Sequence, residues 1–146
     1  LFSDQIKALS PLNTRSMTVR NAILALNKDM VAAGTLNPAN LKISRGGLPA
    51  VNTFAGTASV GENKFTANWT AVTGSTITAK AVVVVVVVDK TANAAYVGSA
   101  LNTAGTLEIS GTFTAANNLD CYAYLLDFRG SAKVGSVSVH KQVTPA

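Results

Sequence analysis

Two side chains stand out as candidates for chemistry near neutral pH: the single histidine, His140, and the single cysteine, Cys121. A Ser-His-Asp or Cys-His arrangement would have to use His140 as its base. It sits in Val137-Ser-Val-His-Lys141, an alternating stretch near the C-terminus, so a surface position on a strand is expected. Cys121 lies in an apolar stretch. One cysteine closes no intrachain disulfide and builds no zinc site, so a buried thiol is expected. The seven carboxylates are Asp4, Asp29, Glu62, Asp89, Glu108, Asp120 and Asp127. None has the spacing of a calcium-binding loop. Asp120 and Asp127 fall at opposite ends of one expected strand and make no acid/base couple. HExxH, CxxC and phosphate-binding glycine loops are absent from the sequence. Asn68-Trp69-Thr70 matches a glycosylation sequon but falls inside an expected strand. The residue types therefore predict no catalytic residue, no cofactor and no metal.

The charges point the same way. The net charge is +5, yet the basic residues are spread along the chain without a run or a stripe. Arg15, Arg20 and Lys28 are the best candidates for a phosphate contact and the sole hint of a nucleic acid partner. Arg45-Gly46-Gly47 and Arg129-Gly130-Ser131 place arginines beside glycine and read as ordinary turns, with exposed contact residues on loops as the alternative. Only 13% of residues are charged, about half the usual share, while 48% are hydrophobic. The surface must then consist largely of Thr, Ser, Asn, Ala and Gly. The apolar run Val82–Val88 is shorter than the roughly 20 residues a membrane helix needs, and no membrane partner is expected. No secretory signal is visible, and the chain opens on Leu1 rather than Met. That opening is read as a removed leader or a missing start.

The elements that would position these groups fall into two parts, 1–38 helical and 39–146 a sandwich. Residues 1–12 accommodate a short helix, with Ser3 as its cap and Pro11 ending it. Val19, Ile23, Leu26, Met30 and Ala33 then recur at helical spacing, with Ser16 or Asn13 as N-cap and Gly34 as C-terminal stop. Such a helix would bury its apolar face on the sandwich or on a neighbouring subunit. Asn37-Pro-Ala-Asn40 reads as a turn. Beyond it the expected strands are Leu41–Ser44, Phe65–Thr70, Ala79–Val88, Ala94–Val97, Thr106–Ile109, Tyr122–Phe128 and Val134–Val139, with Gly135 as a bulge. About seven strands with turns every ten residues or so predict a mainly β fold, a seven-stranded sandwich behind a helical segment.

Seven consecutive valines, Val82 to Val88, admit two readings. A central strand buried on both faces can be continuously β-branched. Facing positions in a core nevertheless usually vary in volume, so identical side chains also suit a sequence partly assigned from imaging density, with valine standing for β-branched shapes. The second reading is preferred, and it implies a chain seen within a natural assembly.

Two resemblances follow from these segments. Phe65 to Ala71, with Trp69, resembles the tryptophan-bearing second strand of fibronectin type III modules. Tyr122-Ala-Tyr-Leu-Leu-Asp-Phe-Arg-Gly130 and Gly135-Ser-Val-Ser-Val139 resemble that family's last two strands. The whole chain is also similar to an uncharacterised family from Bacteroidetes and their mobile elements, through Leu41-Lys-Ile-Ser-Arg-Gly46 and Phe65-Thr-Ala-Asn-Trp-Thr70. Members combine an N-terminal helical region with a fibronectin-like (immunoglobulin-like) sandwich and a basic, glycine-rich stretch upstream that this chain lacks. The resemblance implies a fold and no activity. The expected function is non-enzymatic: a structural subunit of a large assembly, such as a virion capsid, head or tail component or a surface filament. Its partners would be further copies of itself and other structural proteins, in a virion or at the cell surface. The alternative is a fibronectin-like adhesion or glycan-binding module.

Overall fold

The computed structural model describes residues 37–146 apart from 45, 130 and 131. The expected helices within residues 1–34, and Arg45, lie outside the described residues. The turn at Asn37–Asn40 is a short 3-10 helix over Pro38–Asn40, and the Asn37 side chain accepts from the Ala39 N–H at 3.0 Å.

Eight strands follow: β1 (Asn52–Ser59), β2 (Lys64–Thr70), β3 (Val82–Asp89), β4 (Ala94–Leu101), β5 (Thr106–Ser110), β6 (Leu119–Arg129), β7 (Ala132–Gly135) and β8 (Val139–Val143). They form two antiparallel sheets. One has the order β1-β2-β5. The other runs β4-β3-β6-β7, with β8 also on β6. The protein is thus a mainly β sandwich. The β1–β2 and β3–β4 hairpins share one local device. Ser59 Oγ accepts from the Glu62 N–H at 3.1 Å, and Asp89 Oδ1 accepts from the Ala92 N–H at 3.0 Å. Each turn then closes on an asparagine with positive φ, Asn63 at 53° and Asn93 at 54°. Asparagine tolerates that left-handed conformation better than other non-glycine residues.

The expected strand at Leu41–Ser44 is not formed. This stretch is tied down by side chains instead: the Ile43 N–H donates to Ser138 Oγ at 3.0 Å, and Ser44 Oγ donates to the Ser136 carbonyl at 2.7 Å. At Leu48 a single parallel bridge to Ser136 replaces a ladder. Gly46 is required here. Its φ is 146°, and a Cβ would fall 1.8 Å from the Gly135 carbonyl oxygen. The strand absent from the sequence reading is β1, and the expected last strand is two. β7 and β8 line the same side of β6, but the pairing passes from Leu126↔Gly135 to Ala123↔Val139. Two residues of β6 there oppose three, Ser136 to Ser138, so the bulge is at these residues rather than at Gly135. The Ser136 hydroxyl fills the gap by accepting from the Leu125 N–H at 2.8 Å.

The valine run is the central strand, flanked by β4 and β6. Alternate side chains enter different cores. Val83, Val85 and Val87 join Phe65, Trp69, Phe113 and Leu125 between the sheets. Val84, Val86 and Val88 join Ile43, Tyr122, Tyr124 and Leu126 on the outer face. Burial on both faces is what a continuously apolar strand requires.

Candidate functional site

The cluster with the densest polar chemistry lies on the outer face of the larger sheet, where β6, β8 and the β3–β4 turn meet. Asp120 comes from β6 and His140 from β8. The bulge sets their register: Tyr122 pairs with His140, which puts Asp120 on the adjacent diagonal. His140 Nε2 lies 2.8 Å from Asp120 Oδ1. A carboxylate oxygen accepts, so the Nε2 nitrogen that faces Asp120 donates. Lys90, from the turn, places Nζ 3.4 Å from Asp120 Oδ2. The Asp120 side chain is only 6% exposed and that of His140 13%, so this carboxylate has exchanged most of its water for two nitrogen partners. The imidazole also packs on Tyr122, with ring centroids 5.1 Å apart. The Tyr122 hydroxyl donates to the Pro38 carbonyl at 2.9 Å, which fixes the 3-10 turn over the pair.

Above the pair is an open groove of about 480 Å3, lined by Asn37, Pro38, Ala39, Lys90 and Gln142 among others. It offers amide, ammonium, carboxylate and imidazole groups, and its described lining contains no serine, threonine or cysteine. The arrangement can hydrogen-bond a polar ligand.

Cys121, next in sequence, points to the opposite face and is fully buried in the inter-sheet core. Burial, and then the Asp120 charge, push its thiol up to about 12, so it is a packing residue. Asp127 is buried at the far end of β6, as read from the sequence, and accepts from the Thr78 N–H and hydroxyl at 2.8 and 2.6 Å. It pins the segment that leads into β3. Asn68-Trp69-Thr70 lies within β2, with Trp69 buried. Among the described residues no group of His, Cys, Asp or Glu could hold a metal ion. No helix among them is long and apolar enough to cross a membrane.

His140 is on a strand, as expected, but paired rather than freely solvated. No residue type in the sequence marks that pairing, which depends on the register of β6 with β8. Comparisons with protein-family models, with known proteins and with solved structures gave no match for this chain.

Proposed function

We propose that the chain is a fibronectin type III-like structural module that works by protein–protein contact within a large assembly, a virion component or a surface filament, and performs no catalysis. The supporting observation is the near absence of charge on three of the sandwich's edge strands. Across β1, β4 and β5 the sole charged side chain is Glu108. Soluble monomers usually carry charge on roughly a quarter to a third of their surface positions. Strands this poor in charge suit a surface covered by neighbouring subunits. The fibronectin-like reading draws on the three-stranded sheet facing the larger one, the buried tryptophan on the second strand, and the terminal hairpin. Kinship with the Bacteroidetes mobile-element family belongs to the same proposal and draws on Leu41–Gly46 and Phe65–Thr70.

Light scattering on the purified chain, paired with negative-stain imaging, tests the reading. The expected result is a mass well above the 15.0 kDa monomer, or visible particles or fibres. A monomer at all concentrations would overturn it. The groove over Asp120 and His140 favours one second reading, a glycan-binding module, since its polar groups match sugar hydroxyls. Binding of the monomer to arrayed glycans, lost in His140→Ala, would support that alternative.

A further inference from the structure

Four strand edges bound the two sheets, and an unpaired edge is a template for another strand. Three of these edges are blunted. β1 is bulged between Asn52 and Ala55, with Thr53 at a φ of 51°. Its far end is already occupied, because the Val60 N–H donates to the Ala146 carbonyl at 3.0 Å and the Ala146 N–H to the Ala58 carbonyl at 3.1 Å. β5 is only five residues long and carries Glu108. The β7–β8 line carries Lys133 and Lys141 and is broken by its bulge.

β4 has none of these protections. It is eight residues long, Ala-Ala-Tyr-Val-Gly-Ser-Ala-Leu, without charge or proline. Its register with β3 runs unbroken from Val82↔Leu101 to Asp89↔Ala94. Beyond that ladder, no backbone group of β4 hydrogen-bonds to another backbone group among the described residues. Ser99 is exposed, and Leu101 is 51% exposed, the most exposed large hydrophobic side chain described. A long, unbroken, uncharged edge ending in an exposed leucine is the combination that pairs with another strand.

We propose that β4 pairs antiparallel with β4 of a second copy, across a two-fold axis at Gly98. This inference rests on the assembly reading above and names its contact. The strand is its own complement. Overlap of Ala95–Leu101 sets seven residues on seven and places Leu101 opposite Ala95 of the second copy, where the small methyl leaves room for the leucine. The contact is isologous and closed, and it joins the two larger sheets into one continuous sheet.

The test compares the full chain with Ser99→Lys/Leu101→Lys on β4 and with Thr57→Lys, an exposed position on the blunted β1 edge. Sedimentation equilibrium reads the association, circular dichroism confirms the fold, and hydrogen exchange reads the β4 amides. The double variant puts like charges across the paired strands and is expected to raise the dissociation constant at least about tenfold. Thr57→Lys is expected to leave it unchanged, and β4 amides are expected to exchange slowly only in the associated state. If the wild type associates but the folded double variant associates equally well, the β4 contact is wrong and the assembly reading survives. A wild type that stays monomeric sinks both.

Discussion

The side chain of Asn102 grips the backbone of Val72 on both sides. Asn102 Oδ1 accepts from the Val72 N–H at 2.9 Å, and Nδ2 donates to the Val72 carbonyl at 2.8 Å. It stands in for a strand neighbour at a point where β2 has ended and no ladder is present. The backbone carbonyl of the same asparagine accepts from Trp69 Nε1 at 2.9 Å, so one residue anchors the exit of β2 and the central tryptophan. Asn102→Ala leaves the Val72 N–H and carbonyl without protein partners. The expected loss is about 3 kcal/mol, read by urea unfolding, since each buried polar group left unpaired costs roughly 1–3 kcal/mol. A loss below about 0.5 kcal/mol would mean that water replaces the amide.

The two-faced burial of β3 is testable with one pair of variants. Val85 and Val86 are both fully buried but in different cores. Val→Thr keeps the shape and buries a hydroxyl, which costs about 1–3 kcal/mol. Val85→Thr and Val86→Thr are each expected to lower the unfolding free energy by that amount. A strand with one wet face would be weakened by only one of them.

Alkaline pH should destabilise the protein through β6. Burial first, and then Asp120, raise the Cys121 thiol from an ordinary 9.0 to about 12. Tyr122 is also raised from 10.0, by burial, Asp120 and Cys121 in that order. The folded chain therefore holds these protons more tightly than the unfolded one. Their contribution is complete below about pH 9 and is lost progressively as pH rises toward 12. Urea midpoints measured from pH 8 to pH 11 should fall, and less steeply in Cys121→Ala. In the native state at pH 8 the thiol should react with a thiol reagent only as fast as the chain opens.

Gly56 and Gly61 should respond differently to alanine. A Cβ at Gly56 would lie 2.4 Å from Cζ of the fully buried Phe65, whereas nothing lies within 4 Å of one at Gly61. Gly56→Ala is expected to cost about 1–3 kcal/mol by forcing the ring aside. Gly61→Ala should stay within about 0.5 kcal/mol in thermal or urea unfolding.

Local chemistry was readable in the sequence where it is self-contained. The valine run, the strand around Trp69 and the turn at Asn37–Asn40 each announce their conformation within a few residues. β1 escaped because its signals are weak. It mixes Gly56 with small residues, buries only Ala58 fully, and begins with a bulge. Leu41–Ser44 has the pattern of a strand but spends its hydrogen bonds on Ser136 and Ser138, which are about ninety residues away. The Asp120–His140 pair depends on a register between two strands, and that register is shifted by an irregularity to which no residue type gives a unique mark.

That irregularity decides which side chains the last strand shows to each face. Val134 and Val139 are an odd number of residues apart, yet both pack against the inter-sheet core, because the extra residue between them resets the alternation. If Ser136–Ser138 instead continued the regular ladder with no bulge, β8 would turn over by one pleat. Val139 and Val143 would face outward, His140 and Gln142 would enter the core, and Asp120 would lie opposite Lys141. The bulge is therefore a phase shifter. A slip of one residue in register there would exchange the greasy and polar rows of an entire strand without altering any letter of the chain.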